Sequence, residues 1–253
     1  MTDAPVVLIA PAMGIGSRYY RPLVEAFSTI GWDAVALTRR GFEDTAGAAS
    51  RRHDWSYQDE IGDIASAVTA ARRNYSGRPV LLLGHSLGGQ LAAGYALSGG
   101  QVDGLITIGG AVPYFRHFPY GGVPLVIMGA VVVPVLTTAF GYLPKPAFGG
   151  PGARTLMREW ASMVLTGRPP FPTEPPITTP SLVVSLEDDN LAPYGAIEAF
   201  VADLFDPGAV TRWHYTDDEV PEGASNDHIT WVRTPEHVVS RAQLWWGAEA
   251  AAA

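Results

Sequence analysis

The sequence predicts an α/β architecture: a mostly parallel sheet flanked by helices, with a cap inserted between core strands. Three observations carry that reading. Short runs rich in Val, Ile and Leu are apolar throughout, as strands buried on both faces must be. These runs alternate with longer stretches of helical periodicity, the pattern of βα units wound into one parallel sheet. The alternation then stops between Ala111 and Ile177, a stretch too long for a connecting loop. The expected organisation is a core in two parts, residues 1–110 and 178–253, with a cap over 111–177.

In chain order, Val6–Ala10 reads as the first strand, Tyr19–Ile30 as the helix after it and Ala34–Leu37 as the second strand. Tyr57–Asn74 is an amphipathic helix, with Ile61, Ile64, Ala65 and Val68 spaced i, i+3, i+4, i+7. Val80–Leu83 is a third strand, Leu87–Leu97 a helix and Leu105–Ile108 a fourth strand. Within the insertion, Arg154–Leu165 is helical and the Pro-rich "RPPFPTEPP" is an irregular return to the core. Leu182–Leu186 and Val210–Tyr215 are the last strands, with helices at Ile197–Leu204 and Pro235–Trp246. The tail "AEAAAA" is expected to fray.

A chain of 253 residues suffices for one large domain with a substantial core. Its 47% apolar and 17% charged residues place it among globular proteins. A net charge of −8 and a pI near 5.2, with no basic cluster and with Arg39-Arg40 and Arg51-Arg52 as isolated pairs, argue against nucleic-acid binding, which rests on Lys/Arg contacts to phosphate. The absence of cysteine removes disulfides, thiolate metal sites and a thiol nucleophile. Met1–Pro5 lacks the basic region of a signal peptide, so a cytoplasmic location is the expectation. The uncharged run Val123–Phe140 spans 18 residues, the lower limit for crossing a membrane. With Pro124, Pro134 and no adjoining basic residues it predicts instead a buried or lid helix, and no stable membrane span.

Chemistry enters at Val80–Gly89, "VLLLGHSLGG". Gly84-His85-Ser86-Leu87-Gly88 is a Gly-x-Ser-x-Gly pattern between a predicted strand and a predicted helix, the context a nucleophile elbow requires. A serine on so tight a turn sits in a strained backbone conformation, and Gly84, Gly88 and Gly89 give it room. A serine hydroxyl is a weak nucleophile near neutral pH and needs a base oriented by a carboxylate. In elbow-bearing sheets the chain order is serine, acid, histidine. Downstream, Glu187, Asp188 and Asp189 follow the Leu182–Leu186 strand, where side chains project from a parallel sheet. Carboxylates here also suit the cap of a helix beginning near Ala192.

Six histidines are candidates for the base. His53 and His117 precede the acid; His85 adjoins Ser86 and faces the site or the core. His214 falls in the last strand and His237 on the surface of the last helix. His228, in "SNDHITW", lies in the loop between last strand and last helix, where the order requires the base. An oxyanion needs two preorganised N–H donors. Leu87 supplies one at the helix N-terminus, and Met13 the other from the loop "APAMGIGSRYYRPL", which Gly14 and Gly16 allow to turn. That loop is no dinucleotide fingerprint, because Tyr19 stands where the third glycine belongs.

Together these pieces resemble the α/β-hydrolase family from about Val6 to Trp246, most closely its lysophospholipase-like serine hydrolases. Pro11–Pro22 matches in length the family's His-Gly-x-Gly loop through its following Arg-Pro, and "TRRGFEDT" (Thr38–Thr45) stands where the family has Asp-x-Arg-Gly-x-Gly. Leu186–Pro193 resembles its Gly-x-x-Asp-x-x-x-Pro turn, which favours Asp189 as the acid, with Asp188 the alternative. Three positions depart from the pattern: Pro11-Ala12 for His-Gly, Leu186 for the glycine before the acid, and Asp227 for the glycine before His228. The first strand here would be the family's third.

The resemblance implies an acyl-enzyme mechanism with Ser86, Asp189 and His228, backbone donors Met13 and Leu87, and no metal or organic cofactor. The substrate implied is a small-molecule ester or thioester with an apolar acyl part, lipid-like substrates included, as for a carboxylesterase or lipase. Tyr114, Phe115, Phe118, Tyr120, the Val123–Phe140 run, Phe148 and Trp160 are the expected pocket, though the same side chains also suit packing of the cap on the core. Two other readings stand beside it: an acyltransferase using the same acyl-enzyme, and an inactive hydrolase fold acting as an interaction module.

Overall fold

In chain order the strands are β1 (Val6–Ala10), β2 (Asp33–Ala36), β3 (Val80–His85), β4 (Gly104–Ile108), β5 (Tyr142–Leu143), β6 (Gly152–Ala153), β7 (Ser181–Leu186) and β8 (Val210–Tyr215). The helices are α1 (Arg21–Thr29), α2 (Tyr57–Asn74), α3 (Leu87–Leu97), α4 (Val123–Ile127), α5 (Val133–Phe140), α6 (Arg154–Thr166), α7 (Tyr194–Leu204) and α8 (Glu236–Ala252). This computed structural model describes residues 4–43, 47–145, 148–187 and 189–252. Six strands form one wholly parallel sheet in the order β2-β1-β3-β4-β7-β8, and β5 and β6 make a separate antiparallel pair.

The central strands are apolar on both faces because the sheet is covered on both. Alternate side chains of one strand enter different layers. Leu8, Leu82, Leu105 and Val183 pack with α2, α3 and α7, whereas Val7, Ile9, Leu83, Ile106 and Val184 pack with Leu23 and Phe27 of α1 and Val238 and Trp245 of α8. β3 lies inside the sheet and runs two residues beyond the predicted end, because Gly84 and His85 still pair with Thr107 and Ile108. Ser86 is thus delivered at the carboxyl edge of the sheet.

Two boundaries differ from expectation for local reasons. The segment before α1 is a 3-10 turn, Ser17–Tyr20, and the α-helix starts at Arg21 with Pro22 in its first turn, where a missing N–H costs nothing. The alanine-rich tail does not fray within the described residues. α8 continues through it to Ala252, as suits the residue with the highest helix propensity.

Between β4 and β7 lie α4, α5 and α6 with the β5–β6 pair. A wide π-type turn, Met128–Val132, joins α4 to α5, and Pro134 sits in the first turn of α5. Of the two expectations for the Val123–Phe140 run, a buried helix or a lid helix, full burial does not hold. Only Gly129, Val133 and Thr137 are buried. One narrow side packs on α6, where an added Cβ at Gly129 would lie 3.2 Å from the Ala161 carbonyl oxygen, and the opposite side is exposed. α6 is tied to the core at its N-terminus: Asp54 accepts from the Thr155 N–H at 2.9 Å and from its hydroxyl at 2.7 Å. In turn Glu159 accepts from the Tyr57 N–H at 2.7 Å, at the start of α2.

Candidate active site

Ser86 occupies the turn from β3 into α3 with φ 54° and ψ −116°, a conformation that side-chain-bearing residues adopt only under strain. The strain is held by close packing. A Cβ added at Gly84 would run into the Gly88 carbonyl, and one at Gly88 into the Ala10 carbonyl. The Ser86 N–H donates to the Ile108 carbonyl at 2.9 Å, fastening the turn to β4.

Two loops bring polar groups to the serine. His228 Nε2 lies 3.0 Å from Ser86 Oγ, and His228 Nδ1 lies 2.6 Å from Asp189 Oδ2. The other oxygen of Asp189 accepts from the Leu191 and Ala192 N–H groups at 2.8 and 2.9 Å. Asp189 is therefore an acceptor on both oxygens, so the network assigns the proton to His228 Nδ1 and leaves Nε2 to accept from the Ser86 hydroxyl. Asp189 and His228 are both buried. A hydroxyl so placed has a base within reach, and that base has a fixed tautomer.

The His228 loop is shaped by the residue that departed from the family pattern. Asp227 Oδ1 accepts from the Ile229 and Thr230 N–H groups at 2.9 and 3.0 Å, forming the turn that presents His228. Those backbone donors hold the Asp227 carboxyl below the usual carboxylate range. Glu187 turns away and accepts from the Asp217 N–H beside β8. Asp188, the alternative acid, lies outside the described residues.

His85, next to the serine, points away from it and is fully buried. Tyr20 Oη lies 2.7 Å from His85 Nδ1, and His85 Nε2 lies 2.6 Å from the His228 carbonyl oxygen. The Ala12 N–H donates to Tyr20 Oη at 2.8 Å. The only consistent direction runs from the Ala12 N–H to Tyr20, from the Tyr20 hydroxyl to His85 Nδ1, and from His85 Nε2–H to the His228 carbonyl. Burial holds His85 neutral, with a pKa lowered to about 3. The chain joins the loop after β1 to the loop carrying His228. Tyr19 adds a second tie, its hydroxyl donating to the Ile229 carbonyl at 3.0 Å.

Sequence reasoning missed Tyr20, Tyr19 and Gly109. Gly109, at φ 58° just past β4, is where an added Cβ would crowd His228 Cε1 at 3.0 Å. The Gly109-Gly110 pair ending an apolar strand was the only signal for it.

Met13 and Leu87 both face the space in front of Ser86. Among the described residues no acceptor is paired with the N–H of either, whereas that of Ala12 is engaged by Tyr20. The Met13 loop is held from behind, where the Arg39 guanidinium donates to the Pro11 carbonyl at 3.3 Å and pairs with buried Glu60 at 3.2 Å.

A cavity of about 570 Å³ opens onto Ser86 and His228. Its walls are mostly apolar and come largely from the insertion: Phe118, Leu125, Met128, Phe148 and Trp160, with Tyr120 and Leu191 at the rim. Of the side chains expected to line it, Tyr114 and Phe115 do not. The 3-10 turn Phe115–His117 sets their rings edge to face at 5.0 Å, with Phe115 against Gly122 and Tyr114 against Gly167. The remaining histidines lie apart from the serine: His214 bonds Ser185, His237 stacks on Tyr215, His53 packs on Trp55 and His117 on Tyr114.

Comparison with known proteins places the fold. The soluble variant of monoglyceride lipase from Saccharomyces cerevisiae superposes with a TM-score of 0.66 at 14% identity, covering 97% of this chain and 87% of that one. MenH from S. aureus gives 0.63 at 15% identity, covering 98% and 95%. BorB, the type II thioesterase of the borrelidin biosynthetic cluster, gives 0.60 at 16% identity, covering 97% and 94%. At such identities the likeness is one of fold. Among curated sequences none matches the chain. The family model for serine aminopeptidase S33 matches residues 3–140, a span that includes β1, the elbow and the first part of the insertion. By that match and by its fold, the chain belongs to the serine aminopeptidase S33 family of α/β-hydrolase serine hydrolases.

Proposed function

We propose that the protein hydrolyses a carboxylic ester or thioester with an apolar acyl part, through an acyl-enzyme on Ser86. The observation that carries this reading is the Asp189–His228–Ser86 chain, at 2.6 and 3.0 Å, facing a cavity walled by Phe118, Leu125, Met128 and Trp160. Ser86 Oγ attacks the acyl carbon while its proton passes to His228 Nε2. Asp189 Oδ2 holds the imidazole in place and balances the charge it gains. The carbonyl oxygen, now an alkoxide, is stabilised by the Met13 and Leu87 N–H groups, the second at the positive end of α3. When the intermediate collapses, His228 returns the proton to the departing alcohol or thiol. A water activated by the same imidazole then releases the acid and restores the Ser86 hydroxyl.

In this reading residues 111–177 form a cap whose apolar inner wall selects the acyl group. The described lining residues include no carboxylate to meet the ammonium of a free peptide N-terminus. That favours an apolar ester over the aminopeptidase substrate in the family's name. Turnover of p-nitrophenyl acyl esters tests the reading. Wild type should hydrolyse butyrate or longer esters, and Ser86→Ala should retain the fold and lose the activity. A wild type that is folded but inert toward every chain length would refute it.

A further inference from the structure

The mouth of the cavity continues into an unusual surface. Val123, Ile127, Val131 and Val135 are 56, 52, 53 and 58% exposed, in line along one side of α4, the π-type turn and α5. Four-residue spacing overshoots a 3.6-residue turn by about 40° each time, so a plain α-helix would wind such a stripe around its axis. The wider turn at Met128–Val132 takes back part of that drift and keeps the four side chains on one face. Phe140 prolongs the stripe at one end and Tyr120 at the other, the latter 94% exposed and also on the cavity rim. The opposite side of the same helix, through Leu125 and Met128, walls the cavity. From Pro119 to Phe140 there is no charged residue over 22 positions.

The insertion that carries this stripe runs against the charge trend of the whole protein. Residues 111–177 carry five basic residues (Arg116, Lys145, Arg154, Arg158, Arg168) and two acidic ones (Glu159, Glu174), a net +3 in a chain of net −8. Arg116 stands just before the Tyr120 end. At the Phe140 end, Arg51 donates to the Ala139 carbonyl at 2.8 Å, and Arg158 to the Thr137 and Thr138 hydroxyls at 3.0 and 2.9 Å. Arg51 and Arg158 thus bring positive charge to the Phe140 end from elsewhere in the chain.

We propose that this face docks on a lipid–water interface bearing anionic head groups, with the aliphatic stripe in the acyl boundary and the arginines at head-group level. The inference rests on the ester-hydrolase reading, which it deepens by making the substrate a lipid ester drawn from that surface. Docked this way, the cavity rim at Tyr120 and Leu191 faces the source of the acyl chain, and the substrate passes from bilayer to Ser86 without crossing water. A two-fold pairing of copies through the same face would set one positive cap against another, so the charge pattern favours an anionic lipid surface over a second copy.

The test is co-sedimentation of the full-length protein with vesicles of phosphatidylcholine containing about one-fifth phosphatidylglycerol, against phosphatidylcholine alone. Wild type should partition onto the anionic vesicles and be released by salt. Ile127→Glu/Val131→Glu changes two exposed side chains that touch neither Ser86 nor the cavity. It should lower the partition at least about tenfold, the loss expected for keeping one buried aliphatic side chain in water. It should leave hydrolysis of a soluble p-nitrophenyl ester unchanged and slow that of a lipid ester carried in the vesicles. No binding by wild type, binding indifferent to the double substitution, or a dimer dissolved by it in the absence of lipid would each overturn the proposal. If no ester is hydrolysed while vesicle binding persists, the ester reading fails and the docking face survives it.

Discussion

The core around Ser86 and the insertion above it are built on opposite principles. At the core, the buried polar groups next to Ser86 are held by directed hydrogen bonds. Asp189 is satisfied by the Leu191 N–H, the Ala192 N–H and His228, while His85 is satisfied by Tyr20 and the His228 carbonyl. The insertion instead presents much apolar surface, part of it walling the cavity and part of it facing outward. Directed bonds fix atoms to within a fraction of an ångström, as proton transfer requires, whereas apolar walls set only size and shape. On the proposed function, the reaction would be a property of the core and the choice of substrate a property of the insertion.

That division is open to direct attack, beginning with the bond that should matter most. Asp189→Asn keeps the shape but presents an amide to His228 Nδ1 and removes the charge that balances the imidazolium. Steady-state kinetics should show kcat lowered by about 10³–10⁴ with folding intact. A loss under tenfold would mean that the acid is elsewhere. The comparison is sharpened by acid. His85 is held neutral with a pKa near 3 against about 6.5 when unfolded, so the unfolded chain binds the extra proton. The stabilisation is complete above pH ~6.5 and is lost as pH falls toward ~3, on the order of several kcal/mol. Urea midpoints between pH 7 and 4 should fall steeply for wild type and less steeply for His85→Gln.

Tyr20→Phe leaves the buried Ala12 N–H and His85 Nδ1 without their partner, a cost of about 1–3 kcal/mol in stability. Because it frees the loop carrying Met13 and unlocks His85 beneath His228, kcat should fall while KM stays close to wild type. A drop in stability alone would make the Tyr20 contact purely structural. The smallest effect should come from the insertion. Leu125→Trp narrows the cavity and should reduce kcat/KM for long acyl esters about tenfold, with acetyl esters and the rate of phosphonate labelling unaffected. If labelling slowed as well, the separation of core from insertion would fail.

How legible each region was in the sequence follows the same division. Ser86 was visible because a strained turn demands small neighbours at fixed spacing, a local constraint that Gly84 and Gly88 record in five residues. The His228 loop was found by its place between the last strand and the last helix. The Tyr20–His85–His228 chain was invisible, since its members are 65 and 143 residues apart and none carries a spacing signal. The Val123–Phe140 run defeated the reading for another reason. A helix apolar on all sides has no periodicity to say which side faces the core, and length and composition left a buried helix and a lid helix both open. Only the packing of Gly129 on α6 shows which side is covered, and the same packing leaves the valine stripe outside.

The central claim is that the core arrangement makes Ser86 a nucleophile. The most direct measurement is intact-protein and peptide mass spectrometry after reaction with a fluorophosphonate. One phosphonyl group should be gained per chain, located on the peptide containing Ser86, and lost together with esterase activity in Ser86→Ala. A folded wild type that takes no label, or takes it at another residue, would contradict the account.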